Sequence, residues 1–446
     1  KGHPEKNGMC IVILESSEAD LEVFLDACRD VLSDNPVVET DSPMSLIPEL
    51  PDTEDQNDTD FLETDEKTTL WGLDRIDDRK SRDYDYTPPN TGKNVHVFVA
   101  DTGIRTTHED FGGRAVATLD AITSGNPKVC KSTDKNCAND RHGHGTHCAG
   151  TVGGDKYGVA KDVTLHAVKV LSDSGGGSFS YFIKALDWVE QAGHLRPAIF
   201  SASLGGYGTH QAVRTAIDDA TKKGVLVVVA AGNDGQTNRP NACSYTPAFV
   251  PSAVTVGSTT SSDSRSGFSS YGNCLDIFAP GSNIKSAGHR SDTADKTMSG
   301  TSMACPHVAG AAALIFEKSP TMSAKAVRDE LVRAATPDLV KDAKSGSPNK
   351  LLFVGTSGGA TPTPPPKPKP TSAPKPPGAC NDKAKICAKL KQKGKCNRLG
   401  VKRKCQKTCD ACCMDFTKKC AKMKRKCSQP AVKEKCPLTC NVCSSS

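Results

Sequence analysis

The chain of 446 residues is longer than most single compact domains and can bury a sizeable core. Its net charge of +6 conceals an asymmetry: residues 1–66 hold 19 acidic and 3 basic side chains, whereas residues 378–446 hold 4 acidic and 19 basic ones. No run of about 18 apolar residues is present, which argues against a membrane-spanning helix. Each charged segment is either an ordinary solvated surface or, in the basic tail, an attractor of acidic partners such as membrane headgroups or sulfated matrix.

The acidic head, residues 1–66, combines a strand-like apolar run at 10–14 with a helix-like stretch at 18–32. Residues 50–66 are acidic and polar, a composition that favours a disordered connection. Residues 1–8 are polar and do not resemble a signal peptide. We therefore expect the chain to begin after processing or within a longer precursor.

The central region, residues 67–356, alternates short runs rich in Val, Ala and Ile with helical periodicities. The pattern predicts clear strands at 95–100, 163–170 and 225–230. It predicts clear helices at 179–192, 211–223 and 305–317. Near-continuous apolar strands followed by helices are typical of a parallel sheet that is covered on both faces. The sequence therefore predicts an α/β domain.

A Pro-rich linker, residues 357–379, separates this domain from a basic, cysteine-rich tail, and its segment TPTPPPKPKPTSAPKPP predicts an extended spacer. Twelve of the 20 cysteines follow in two frames, 380–412 and 413–443, spaced C-x6-C-x8-C-x8-C-x3-C-x2-C and C-x6-C-x6-C-x8-C-x3-C-x2-C. A zinc site is the alternative, but twelve cysteines without a histidine favour disulfide bridges. Such bridges need an oxidising compartment, which predicts a secreted protein.

Three segments of the central region carry residues suited to nucleophilic catalysis. An apolar strand ends at Asp101 before a glycine turn, His144 lies in GHGTHCAG, and Ser302 lies in SGTSMACPHVAG at the start of an Ala-rich helix. A serine hydroxyl needs an imidazole to accept its proton and a carboxylate to orient that imidazole. Taken singly, each residue is more often structural, but together they are the parts of such a relay.

With their flanking sequences these residues resemble the subtilisin superfamily and, within it, the proteinase K and aqualysin-like group. The resemblance runs from about position 70 to 354 through DTGI, GHGTHCAGTVGG, SLGG, VAAGND, SSYGNCLDIFAPG and SGTSMACPHVAG. It implies a three-layer α/β fold with a mostly parallel sheet and a secreted serine endopeptidase that forms an acyl-enzyme. It assigns Asp101 as orienter, His144 as general acid and base, Ser302 as nucleophile and Asn233 as the side chain of the oxyanion hole.

The same resemblance implies that an extended peptide substrate pairs between two edge strands, with its side chain before the cleaved bond in a pocket. The first strand matches Gly175, Gly176 and Gly177, and the opposite strand matches Ser203, Leu204 and Gly205. The pocket matches Ala230, Ala231 and Gly232. No charge lies in these segments, so an apolar or aromatic side chain is expected before the cleaved bond. A flexible turn is the alternative explanation of the three glycines.

Structural Ca²⁺ is the cofactor that the resemblance implies. Asp276, with the carbonyls of Pro251 and Ala253, matches one calcium site of the group, and oxygen-only ligation suits this ion. A second site is expected in the segment WGLDRIDDR, where ordinary capping acids are the alternative. Its matched carboxylates are those of Asp74, Asp77 and Asp78.

The six cysteines of the central region are expected partly as bridges and partly as thiols. Cys130 and Cys137 are seven positions apart in a polar loop and are predicted to pair. Cys243 and Cys274 coincide with a disulfide of the aqualysin-like group. Cys148 matches a free buried thiol beside the catalytic histidine, and we expect it and Cys305 to stay reduced.

The two tail frames resemble ShKT domains, small modules with three disulfides each. The implied pairs are Cys380–Cys412, Cys387–Cys405 and Cys396–Cys409, then Cys413–Cys443, Cys420–Cys436 and Cys427–Cys440. Channel-blocking members place a lysine and an aromatic residue between their third and fourth cysteines. No aromatic residue is present there, so targeting or protein interaction is the expected role.

The head resembles the second half of a subtilase propeptide, with a generic acidic linker as the alternative. We expect its C-terminal end to lie along the active-site groove, with self-cleavage near 65–68. The expected partners are protein substrates, the propeptide itself and an anionic matrix or membrane surface, without nucleic acid, and the protein is expected to be a monomer. Two alternative functions are that of an inactive subtilase-fold binding protein and that of a protein whose tail carries the main function.

Overall fold

The computed structural model describes residues 38–47 and 70–355, apart from residues 81 and 124, together with residues 20, 21 and 23 of the head. The predicted strand at 10–14, most of the helix at 18–32, the Pro-rich linker and both cysteine modules lie outside the described residues. Within the part that the structure describes, no helix is both long and apolar enough to cross a membrane.

A ten-stranded sheet forms the centre of the domain. Its strands, in spatial order, are β15 (Thr336–Pro337), β16 (Lys350–Leu351), β12 (Ile277–Pro280), β11 (Val254–Thr259), β9 (Val225–Ala230), β7 (Ala198–Ala202), β2 (His96–Asp101), β5 (Thr164–Lys169), β3 (Ala115–Asp120) and β4 (Lys128–Val129). All neighbours pair in parallel except the outermost pair at each edge. The predicted mostly parallel sheet is therefore confirmed.

Six helices surround this sheet among the described residues. They are α1 (Trp71–Asp77), α2 (His144–Gly153), α3 (Phe179–Gln191), α4 (Gln211–Lys222), α5 (Thr301–Lys318) and α6 (Ala324–Ala334). Short 3₁₀ turns occur at Glu109–Phe111 and Ala242–Ser244.

Alternating strand side chains divide the core into two layers. Val97 and Val99 of β2 pack with α1, α2, α5 and α6, whereas Phe98 and Ala100 pack with α3 and α4 on the opposite face. A strand that is buried on both faces needs an apolar run without polar alternation, which is the pattern seen in the sequence. The three-layer α/β fold is thus confirmed.

Two smaller sheets complete the domain. The first is four-stranded and contains β10 (Tyr245–Thr246), β8 (Leu204–Tyr207), β1 (Pro43–Leu46) and β6 (Gly176–Ser178), in that order. The second is the antiparallel pair of β13 (Ile284–Ala287) and β14 (Asp295–Met298). Because β1 comes from the acidic head, the first of these sheets joins the head to the central domain.

Candidate active site

Asp101 and His144 meet at the carboxyl end of the central sheet. Asp101 is the last residue of β2 and His144 is the first residue of α2. His144 Nδ1 lies 2.8 Å from Asp101 Oδ1 and 2.9 Å from Oδ2. Both side chains are buried. Burial alone would lower the pKa of His144, but the neighbouring Asp101 carboxylate raises it well above its usual value.

A buried carboxylate that sequence reasoning missed, Asp140, fixes the start of α2. Its Oδ2 accepts hydrogen bonds from the Thr146 N–H and hydroxyl, and its Oδ1 accepts one from the Gly143 N–H. Burial opposes ionisation of Asp140, but these bonds and one from Thr102 outweigh it and hold its pKa below its usual value. Asp140 lies three residues before the N-cap Gly143, so the usual N-cap pattern does not reveal it in the sequence.

Close packing of α2 against the end of β2 requires a glycine after His144. A Cβ atom added at Gly145 would lie 2.2 Å from the carbonyl oxygen of Gly103 and 3.1 Å from Asp101 Cβ. No side chain fits in that space. The helix can therefore approach Asp101 closely enough for the imidazole and carboxylate to bond.

Ser302 lies in the first turn of α5, buried beside this pair. Pro306, four positions later in the helix, has no N–H to donate to the Ser302 carbonyl. That carbonyl accepts a hydrogen bond from the Ser203 hydroxyl instead, at 2.9 Å. The proline thus couples the nucleophile's backbone to the edge strand that was predicted to bind substrate.

The Ser302 hydroxyl is not hydrogen-bonded to the histidine. Its Oγ lies 3.5 Å from the Ser203 carbonyl oxygen, and the buried His144 Nε2 has no hydrogen-bond partner. Catalytic hydrogen bonds are often long before a substrate binds, and a rotation about the Ser302 side-chain bond changes the partner of its hydroxyl.

Asn233 follows β9 and is held by the residue that precedes Ser302. Its Oδ1 accepts hydrogen bonds from the Thr301 N–H at 3.0 Å and the Thr301 hydroxyl at 2.9 Å. These bonds turn the amide nitrogen toward Gly300, whose added Cβ would lie 3.1 Å from Nδ2. Thr301 was not predicted as a site residue, although it stands next to Ser302 in the SGTS motif. Gly232, the last residue of the predicted substrate pocket, donates its N–H to the Thr301 hydroxyl at 3.2 Å.

The two predicted substrate strands are brought together with a strand of the head between them. Ser45 of β1 lies opposite Gly176 on one side and Gly205 on the other, and both pairings are antiparallel. The Leu46 N–H donates to the Gly175 carbonyl at 2.9 Å. An added Cβ at Gly177 would lie 2.5 Å from the Val170 carbonyl oxygen, so the edge strand needs glycine there.

The head strand that occupies this position lies upstream of the predicted cleavage region. Leu46 is the last paired residue of β1 and lies opposite Leu204, the neighbour of Ser203, whose carbonyl accepts from the Ser302 hydroxyl. Ile47 is buried. The expected self-cleavage segment at 65–68 lies outside the described residues.

Two head carboxylates cap the N-termini of α3 and α4. Glu39 accepts the Gln211 and Ala212 N–H groups at 2.7 and 2.8 Å. Asp41 accepts the Ser180 N–H at 3.0 Å and the Ser178 hydroxyl. Neither helix has a side-chain cap from its own N-cap residue. The head thus supplies acceptors for helix N–H groups that have no partner within their own helices.

Two of the three acids of the segment WGLDRIDDR, Asp74 and Asp78, lie close to a further acid, Asp83. Ligand atoms of Asp74, Asp78 and Asp83 lie within 4.8 Å of one another. Buried oxygens of Asp74, Asp77 and Asp78 have no hydrogen-bond partner. Burial raises the pKa of Asp77 to about 6, with a further contribution from Asp78. Orphaned buried carboxylate oxygens fit a hard cation such as Ca²⁺, and Asp83 joins the set that the sequence predicted.

The other predicted calcium position does not fit the structure. Arg328 of α6 donates one guanidinium nitrogen to Asp276 Oδ1 and the other to the Pro251 carbonyl. Asp276 Oδ2 accepts the Thr255 N–H at 2.9 Å. A cation already bridges two of the three predicted ligands, so Pro251, Ala253 and Asp276 do not form a free oxygen cage.

The four other cysteines predicted as bridges form them. Cys130 pairs with Cys137, and Cys243 pairs with Cys274. Cys148 and Cys305 are free and buried, as expected. The Cys148 sulfur lies 3.4 Å from the Ser302 carbonyl oxygen and 3.8 Å from His144 Nδ1. Burial raises the pKa of Cys305 to about 12, so its thiol stays protonated at neutral pH.

Known proteins are similar in sequence to this chain. The chain is 52% identical over 284 residues to the extracellular serine proteinase of a Thermus species, which covers 64% of this chain and 65% of that protein. It is 45% identical over 311 residues to alkaline serine exoprotease A of Vibrio alginolyticus, and the match covers 68% of this chain and 55% of that protein. The chain thus spans less than two thirds of the length of these relatives.

A solved structure and two family models also match this chain. A crystal structure of a cold adapted subtilisin-like serine proteinase matches with a TM-score of 0.58 and 45% identity, covering 64% of this chain and 98% of that one. The tail matches the ShK domain-like family at residues 379–412 and 413–443. Residues 92–357 match the subtilase family, which is more than half of the chain. The protein therefore belongs to the subtilase family.

Proposed function

We propose that this protein is a secreted serine endopeptidase that hydrolyses peptide bonds through an acyl-enzyme and is made as a self-processing zymogen. The observation that carries the proposal is the Asp101–His144 hydrogen bond beside Ser302, with Asn233 oriented by Thr301. The names of the relatives, an extracellular serine proteinase and an alkaline serine exoprotease, support it. An inactive binding protein would be expected to have lost part of this set.

In the proposed reaction Ser302 Oγ attacks the carbonyl carbon of the peptide bond, and the neighbouring groups assist each step. His144 accepts the Ser302 proton at Nε2, while Asp101 holds the Nδ1 proton and stabilises the imidazolium that forms. The Asn233 amide and the Ser302 N–H donate to the oxyanion of the tetrahedral intermediate. His144 then protonates the leaving amine. Water attacks the acyl-enzyme in the second half of the reaction, with His144 again as base.

The head strand gives a picture of how a substrate would lie. An extended peptide that replaces β1 adds its backbone hydrogen bonds to both edge strands, a mode that depends little on side chains. Continued by one residue, the register of β1 would bring the apolar Ile47 nearest to Ser302, which supports an apolar side chain before the cleaved bond of a substrate. The head would therefore inhibit the enzyme until cleavage and release free the groove.

A calcium ion is proposed at Asp74, Asp78 and Asp83, with Asp77 beside them. Calcium binding is common in subtilases. When bound, the ion would neutralise the clustered carboxylates and tie α1 to the following loop. It would stabilise the fold and would not take part in peptide hydrolysis, because the triad lies on other elements.

The basic tail is proposed to hold the enzyme on an anionic surface. Its charge asymmetry supports this role, because 19 basic and 4 acidic residues occupy residues 378–446. Concentration of the enzyme on a surface raises the local substrate concentration without changing the cleaved bonds. Retention on an anionic matrix should fall toward about 1 M salt and should be lost when residues 380–446 are deleted.

Cleavage of a peptide library tests the proposed activity directly. The processed wild-type protein should cut after apolar and aromatic residues, and Ser302→Ala should lose this activity by several orders of magnitude. Equal cleavage by the two proteins would overturn the proposal.

A further inference from the structure

The structure assigns to Arg328 the place of a structural cation: its guanidinium bridges the Pro251 carbonyl and the Asp276 carboxylate, so this site joins α6 to the segment before β11 without calcium. The resemblance predicted an ion at this point, and the oxygen set alone gave no reason to doubt it. The decisive residue lies on α6, more than 50 positions further along the chain.

The geometry suits a guanidinium. Its planar fork presents parallel N–H donors, and here one nitrogen reaches Asp276 Oδ1 while the other reaches the Pro251 carbonyl. The Asp276 side chain is 13% exposed and that of Arg328 26% exposed, so solvent screens the pair only in part. The second carboxylate oxygen is satisfied by the Thr255 N–H.

Helix α6 holds the guanidinium in this position. Val327 and Leu331 are buried in the core, so the helix is fixed on both sides of Arg328. Asp329, the nearest other acid on the helix, pairs with Lys325 one turn earlier. Asp276 is therefore the carboxylate that receives the Arg328 charge.

Charge balance disfavours a calcium ion at the same point. The Asp276–Arg328 pair is formally neutral, and the nearby Asp329 carboxylate is paired with Lys325. An added divalent ion would therefore lie beside an arginine with Asp276 as its carboxylate ligand. Calcium also needs six to eight oxygen ligands, and a guanidinium supplies none. The connection between α6 and the segment before β11 thus depends on the Arg328 guanidinium, a cation that is part of the chain itself.

Calcium content and melting temperature of four full-length proteins test this inference, each carrying Ser302→Ala to prevent self-digestion. Asp276→Asn should keep the calcium content of the parent protein. Arg328→Met should melt lower than the parent in chelator, by about 3 °C or more. Arg333→Met is the matched control, since Arg333 is on the same helix, is exposed and pairs with Glu330.

Two results would overturn the inference. One is the loss of about one calcium per chain in Asp276→Asn, which would place an ion at the carboxylate. The other is a melting temperature of Arg328→Met in chelator that equals that of the Arg333→Met control. If Arg328→Met does not fold, the calcium content of Asp276→Asn still decides, and neither measurement depends on protease activity.

Discussion

The Thr301 hydroxyl lies 2.9 Å from Asn233 Oδ1, so the residue before the nucleophile orients the side chain assigned to the oxyanion hole. The bond links the loop after β9 to the first turn of α5. Two groups from distant parts of the chain are thereby fixed with respect to one another before any substrate binds, which is the condition for electrostatic preorganisation.

Replacing Thr301 by Val keeps its shape and its N–H bond to Asn233 but removes the hydroxyl, which donates to Asn233 Oδ1 and accepts the Gly232 N–H. We expect kcat to fall roughly five- to thirtyfold with a smaller change in KM, because each neutral hydrogen bond contributes about 1 kcal/mol. Asn233→Ala should cost about a hundredfold or more. Steady-state kinetics of both single variants and the double variant measure the coupling. The idea fails if Thr301→Val costs as much in the Asn233→Ala background as alone.

The pH dependence of activity should reflect the raised pKa of His144. The imidazole must be neutral to accept the Ser302 proton, so kcat/KM should rise with pH through that pKa, at a midpoint above the usual 6.5. Asp101→Asn removes the charge that raises the pKa, so its remaining activity should have a midpoint at lower pH. Profiles from pH 5 to 10 measure both. Identical midpoints would contradict the assigned role of Asp101.

Much of this site could be predicted from sequence because local motifs carry it. Asp101, His144 and Ser302 each end or begin an element whose apolar pattern is clear, and the strand at 225–230 matches β9 in both bounds. Helix α5 begins at Thr301, four residues before the predicted start, because the small polar residues SGTS hide the first turn. The role of Arg328 could not be predicted from the sequence, because its contact with Asp276 joins distant parts of the chain and belongs to no local motif.

The helix caps from the head should control its release. Replacing Glu39 by Gln or Asp41 by Asn weakens acceptors of helix N–H groups, and each cap contributes about 1 kcal/mol. Each change should therefore weaken head binding roughly fivefold. The measurement is the rate at which activity on a small peptide appears after purification. Asp329→Asn, at an exposed acid that pairs with Lys325, is the control. Activation at an equal rate in all proteins would show that the caps do not control release of the head.

Loss of calcium from the acidic cluster should lower stability without changing specificity. Asp83→Asn removes a ligand that is exposed and otherwise makes few contacts, so an unloaded protein should tolerate it. In wild type, added calcium should raise the melting temperature with concentration, as for any ligand that binds the folded state. In Asp83→Asn this rise should be much smaller, while the melting temperature in chelator stays the same. A full calcium response in the variant would remove the proposed site.

Covalent labelling tests the central claim most directly. The processed protein is treated with phenylmethanesulfonyl fluoride, and the modified peptide is identified by mass spectrometry while peptide hydrolysis is followed. We predict one adduct per chain, on Ser302, with activity lost in proportion to labelling and no adduct in His144→Ala. An adduct on a different residue, or full activity in protein that is completely labelled at Ser302, would contradict the account.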